Sequence, residues 1–77
     1  MNLNEAVTKR IQEICGLKAA SICDICLKGG MSPSAIYDLL HKRTKSPKII
    51  TVKRFCMGAK ITMGEFFSPE YFDEYEE

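Results

Sequence analysis

No stretch of this 77-residue chain stays apolar for the ~20 residues that a bilayer-spanning helix needs. The opening, Met1-Asn2-Leu3-Asn4-Glu5, lacks the charged-then-apolar order of a secretion signal, so a cytoplasmic location is expected. No run of useful length alternates apolar and polar residues, which argues against strands. Internal repeats and low-complexity segments are absent. There is one histidine, His41, and no second close pair accompanies Cys23-x-x-Cys26. Four-ligand zinc sites bring Cys and His in such pairs, so no metal is expected. Asp38 and His41 share a helix face, but acid–base catalysis needs a pocket and a third group. Neither is visible, so the chain does not read as an enzyme. Nothing implies a cofactor, a membrane or a small-molecule substrate.

What is present is ordinary for a small globular domain: 45% hydrophobic and 27% charged residues, with no Trp. A chain this short hides a modest share of its unfolded surface, so its stability margin is expected to be thin. The four cysteines, Cys15, Cys23, Cys26 and Cys56, are expected as free thiols, with Cys26 and Cys56 packed on apolar helix faces.

The net charge of +1 conceals an uneven distribution. Between Lys28 and Lys60 lie eight basic residues (Lys28, Lys42, Arg43, Lys45, Lys48, Lys53, Arg54 and Lys60) and one acid, Asp38. From Ser68 to Glu77 the acids Glu70, Asp73, Glu74, Glu76 and Glu77 meet no base. A cationic middle suits a polyanionic partner, and an acidic end suits a tail with a separate role. Residues 1–67 therefore read as one domain and 68–77 as an acidic, aromatic tail.

Apolar residues recur at helical spacing. A first helix is expected from Leu3 to Leu17, started by a capping box of Asn2 and Glu5 and ended near Gly16. Its buried stripe is Leu3, Val7, Ile11 and Ile14, with Cys15 beside it. A second runs from Ile22 to Lys28, capped by Ser21, with Ile22, Ile25, Cys26 and Gly29 on one face. Gly29-Gly30 stops it, because glycine tolerates the left-handed conformation of a tight turn. A third runs from Pro33 to Lys42, with Ser32 as cap and proline in the first turn, where its missing N–H costs nothing. Ile36, Leu39 and Leu40 face inward; Ser34, Tyr37, Asp38 and His41 face out. After the basic loop Lys42–Lys48 comes a fourth helix, Ile49 to Gly58, with Ile49, Val52, Phe55, Cys56 and Ala59 apolar. A second capping box, Thr62 with Glu65, starts a fifth, which carries Phe66 and Phe67 to the core. Tyr71, Phe72 and Tyr75 are costly to leave wet, which favours packing or a dimer contact for the tail.

Ser21 to His41 is the informative segment: helix, glycine turn, helix. It offers a projecting third helix, and the major groove of B-DNA is wide enough to receive one. From Ala6 to Phe67 the chain resembles the Cro/repressor-type, or Xre-like, helix-turn-helix regulators. The resemblance is carried by Cys26 in the second helix, Gly30 in the turn and the apolar set Ile25, Met31, Ile36 and Leu39. The run Gly30-Met31-Ser32-Pro33-Ser34-Ala35-Ile36-Tyr37-Asp38-Leu39-Leu40 looks like that family's turn and recognition helix. Ser46-Pro47, Thr51-Val52-Lys53-Arg54-Phe55-Cys56 and Ile61-Thr62-Met63-Gly64-Glu65-Phe66-Phe67 are similar to its fourth and fifth helices. Three positions depart from the pattern. Ile22 replaces a common Gln, Cys26 replaces Ala, and Lys48 replaces a Ser or Thr cap.

The resemblance implies an all-α, five-helix, lambda-repressor-like domain that binds double-stranded DNA as a transcription repressor of bacterial or phage origin. Ser32, Pro33, Ser34, Tyr37, Asp38 and His41 would then face base edges, and Ser21, Lys28, Lys42, Arg43, Lys45 and Lys48 would meet phosphates. A homodimer on a palindromic site is expected, since one helix reads only a few base pairs. A reading of a different class is a protein-interaction module, such as the antitoxin of a toxin–antitoxin pair, which the acidic aromatic tail favours.

Overall fold

The computed structural model describes residues 2–42 and 46–74. Among these residues the chain is all-helical: α1 (Leu3–Lys18), α2 (Ile22–Lys28), α3 (Ser34–Leu40), α4 (Ile49–Ala59), α5 (Met63–Phe66) and a closing 3-10 turn, Glu70–Asp73. No helix among them is long and apolar enough to cross a membrane.

Local chemistry starts three of the helices as their sequences lead one to expect. Asn2 Oδ1 accepts from the Glu5 amide at 2.8 Å, and the Glu5 carboxylate accepts from the Asn2 amide at 3.4 Å. Thr62 and Glu65 make the same reciprocal pair ahead of α5. Ser21 Oγ accepts from the Asp24 amide at 3.1 Å at the start of α2. Each cap gives a partner to an amide that the first turn leaves without one.

The helix ends are less local. α1 runs past Gly16, which lies inside its last turn with open space where a side chain would go. Closure falls on Ala19, left-handed at φ 49°, with the Ala20 amide donating to Cys15 O at 3.1 Å. α4 closes alike on Lys60, at φ 60°, with the Ile61 amide donating to Cys56 O. In both, the residue after the left-handed one turns back to pack on the core.

The core takes Ala6, Val7, Ile11 and Ile14 from α1, Ile25 and Cys26 from α2, and Ile36 and Leu39 from α3. From α4 come Val52, Phe55, Cys56 and Ala59, and then Phe66. Phe72 from the 3-10 turn joins them, so the described part of the acidic tail packs onto the body. Its ring meets Phe66 and Phe67 with centroids 6.0 and 4.9 Å apart. Tyr71 donates to Glu13 of α1 at 2.6 Å, and the Lys9 ammonium sits 4.4 Å above the Tyr71 ring. Tyr75 lies outside the described residues.

Two apolar expectations fail. Ile49 is 78% exposed: the first residue of α4 that is buried is Val52, one turn on, and Ile49 lines a hollow of about 220 Å³ with Leu3, Val7, Val52 and Met63. Phe67 is 39% exposed, because α5 ends at Phe66 and only one of two adjacent rings can point inward. Conversely, Ala6 is fully buried although it lies outside the apolar stripe of Leu3, Val7, Ile11 and Ile14.

Candidate nucleic-acid interface

The segment that leads into α3 is built on two glycines with different tasks. Gly30 is left-handed at φ 75°, with the Met31 amide donating to Cys26 O at 3.0 Å and the Gly30 amide to Leu27 O at 3.1 Å. That closes α2 and reverses the chain. Gly29 is instead right-handed, at φ −84°, and serves close packing. A Cβ on Gly29 would lie 2.0 Å from Arg54 O, and one on Gly58 would lie 1.9 Å from Ile25 O. The backbones of α2 and α4 therefore touch where these glycines face each other. The Arg54 side chain adds a tie, with Nη1 donating to Gly30 O at 2.9 Å.

α3 is seated by Ile36 and Leu39, both buried, and flanked by the partly buried Met31 and Leu40. It is shorter than its sequence suggests, with seven residues rather than a span from Pro33 to Lys42. At its start Pro33 already has helical angles (φ −59°, ψ −20°) and Ser32 Oγ accepts from the Ser34 amide at 3.3 Å. At its end His41 leaves helical geometry and Lys42 is left-handed at φ 58°. No glycine marks that stop, which is why the periodic pattern overran it. At 1.5 Å per residue the helix is about 10 Å long, the rise of about three base pairs of B-DNA.

The residues expected at base edges fall into three settings. Ser32 and Ser34 are exposed, their hydroxyls hydrogen-bonded to each other at 2.9 Å. Tyr37 is 43% exposed on the same outward stripe, with Pro33 half-buried at its head. Asp38 is half-buried and lines a shallow hollow of about 180 Å³ with Ala35, Pro47, Lys48 and Thr51, between α3 and the start of α4. His41 is exposed but sits beyond the helix, off the rigid stripe.

Of the expected phosphate contacts, Lys28 is exposed at the end of α2, and Lys42 and Lys48 are exposed at either side of the basic loop. Ser21 is exposed, with its oxygen engaged as the α2 cap. Arg43 and Lys45 lie outside the described residues. Lys48 precedes α4 without a side-chain cap, so the first amides of that helix have no side-chain partner of that kind.

The acidic tail is anchored elsewhere, on α1 and α5. Arg10, buried to 15% exposure, organises that side: Nε donates to Phe66 O at 2.9 Å and Nη2 to Glu65 O at 2.8 Å, with Glu13 3.5 Å away. These carbonyls end α5, where a cation is favourable. Nothing local in the sequence signalled this contact across 56 positions.

Burial pushes the thiols of Cys15, Cys26 and Cys56 up; that of Cys26 reaches about 11, with the Cys15 and Cys23 thiols adding to the effect. A raised thiol is less available as the thiolate nucleophile at neutral pH. Cys23 is exposed and Cys26 is not, so the C-x-x-C pair is divided between solvent and core. Among the described residues, no three His, Cys, Asp or Glu side chains are placed to hold a metal ion.

No family model, no curated protein and no solved structure matches the chain.

Proposed function

We propose that this chain is a sequence-specific double-stranded-DNA-binding protein of the Cro/repressor helix-turn-helix type, a lambda-repressor-like domain. In this reading it represses transcription in the cytoplasm of a bacterium, or from a phage. α2 and α3 are the helix-turn-helix pair, and α3 enters the major groove. The observation that carries the reading is the two-sidedness of α3. Its inner residues, Ile36 and Leu39, are locked into the core, while Ser34 and Tyr37 are exposed, and Lys42, after the helix, and Lys48, before α4, are exposed as well.

The roles follow from side-chain chemistry. The Ser32 and Ser34 hydroxyls both donate and accept, so they suit several base edges; Tyr37 and Pro33 offer apolar contact to a thymine methyl. Asp38 accepts from a cytosine amino group, and His41 reaches the edge of the site. Lys28, Lys42, Arg43, Lys45 and Lys48 hold phosphates, helped by the opening amides of α4. A seven-residue helix covers few base pairs, so two copies on a palindrome supply the remaining specificity.

Tyr71 and Phe72 are turned onto the chain's own body. Aromatic surface held this way is less available to a protein partner, which supports the DNA-binding reading ahead of the antitoxin one.

Selection of bound sequences from random duplex DNA tests the proposal. An enriched palindrome is expected, with affinity falling steeply with salt at a log–log slope of about −4 to −5 per subunit if ~5 phosphates are neutralised. No enrichment, or binding indifferent to salt, contradicts it.

A further inference from the structure

We infer that Arg54, on α4, is a positioning residue for the recognition helix: its guanidinium clasps the Gly30 carbonyl and so sets the angle at which α3 leaves the turn. The inference rests on the DNA-binding reading for its functional meaning, but its structural part stands alone.

Three observations converge on this point. The Arg54 Nη1 to Gly30 O hydrogen bond, at 2.9 Å, joins residues 24 apart in sequence. Gly30 is the left-handed residue of the turn, so rotation of its peptide re-aims everything after it. Arg54 also lies where α4 touches α2, since its own carbonyl would be 2.0 Å from a Cβ on Gly29. Its backbone abuts one glycine of the turn and its side chain holds the other. α4 thereby fixes α2 by contact and the start of α3 by hydrogen bond.

The alternatives for Arg54 are weaker. No ion pair to Arg54 occurs among the described residues. Its side chain is exposed, so burial does not explain an arginine there. A lysine-like role as one more cation leaves the carbonyl contact unaccounted for. A guanidinium is suited to it, being planar and carrying several donors in a fixed fork, which restricts the orientation of what it holds more than an ammonium does.

A positioning role separates from a charge role in what it changes. Misaiming α3 weakens contacts to base edges, which are specific, and leaves attraction to phosphates intact. Loss of a phosphate contact weakens binding to all duplexes alike and lowers the salt slope by about one.

The test uses the full chain with Arg54→Met, which keeps an apolar stem and removes donors and charge. Arg54→Gln serves as a second variant should the first fold poorly. Lys53→Met removes the same charge one residue away. The probes are the duplex enriched from the random pool and a random-sequence duplex of equal length. Both Arg54 variants are expected to bind the enriched duplex about tenfold more weakly, the scale of one well-made base contact, with binding to the random duplex and the salt slope unchanged. Lys53→Met is expected to preserve the preference for the enriched duplex. Without DNA, the amide resonances of Met31 to Leu40 are expected to shift in the Arg54 variants and to stay in place in Lys53→Met. Equal losses on both duplexes, equal losses for Lys53→Met, or α3 amides that do not move would overturn the inference. A pool that enriches nothing with the wild-type chain overturns the DNA reading instead, and the resonance measurement then decides the clasp by itself.

Discussion

Replacing Gly58 with Ala should be among the most damaging single-methyl changes this domain can suffer. A Cβ there would stand 1.9 Å from Ile25 O and 2.9 Å from Gly29 N. Ordinary contact begins near 3.4 Å, so α2 must withdraw by about 1.5 Å. The obstacle is backbone on backbone, and no rotamer relieves it. Withdrawal also loosens Ile25 and Cys26 from the core and disturbs the Gly29 amide's bond to Ile25 O. Overpacking typically costs 1–3 kcal/mol, and a rigid obstacle belongs at about 3 or above. Alanine's better helix propensity returns about 1 kcal/mol, leaving a net loss of about 2–3. A domain of this length has a stability of about 4–12 kcal/mol, so the loss is a large share of it. At roughly 4–8 °C per kcal/mol, the melting temperature should fall by about 10–20 °C in thermal denaturation followed by circular dichroism. The control is Gly16→Ala, inside α1 with nothing within 4 Å. It should raise stability by about 0.5–1 kcal/mol. If Gly58→Ala melts at or above the wild type, the close α2–α4 crossing is refuted.

Lys60→Gly should stabilise by about 0.5–1 kcal/mol in urea titration: a left-handed residue with a Cβ costs about 1–2, and part of the gain is lost to glycine's looser unfolded chain; a loss would show that φ 60° is not adopted. Phe72→Ala should cost about 3 kcal/mol, since the ring is 7% exposed in the shared core, and an unchanged denaturation midpoint would mean that the tail does not pack. The raised Cys26 thiol makes stability pH-dependent on the alkaline side. The folded chain keeps this proton up to about pH 11 while the unfolded chain releases it near the ordinary value of 9.0, so stability holds below about pH 9 and falls as pH rises towards 11. Melting temperatures measured across that window should fall less in Cys26→Ala than in the wild type, and parallel curves would contradict the assignment.

What could be read in advance was what neighbours in sequence decide. The capping residues Asn2, Ser21 and Thr62 act within three positions, and the bounds of α2 follow from Ser21 and the glycine pair. What escaped depends on distant residues. Gly58 reads as the end of the fourth helix, yet it lies inside α4 with α2 packed against it. Gly29 and Gly30 look interchangeable, yet one yields space and the other a left-handed turn. Arg54 reads only as one charge of the cationic middle, and nothing singles out Arg10, while their structural use is to hold carbonyls 24 and 56 residues away. The candidate interface shows the same division. Ser34 and Tyr37 stand outward as their helical spacing requires, whereas His41 drops off the helix because the stop after Leu40 has no signal of its own.

The central claim, that the outer face of α3 reads duplex DNA, is tested most directly by comparing wild type with Ser34→Ala and Tyr37→Ala in selections from one random duplex pool. The account predicts an enriched palindrome for the wild type, and for each variant a relaxed preference at positions about three base pairs apart at most within each half-site. Wild type and variants enriching the same sequence to the same degree, or none of them enriching any, would contradict it.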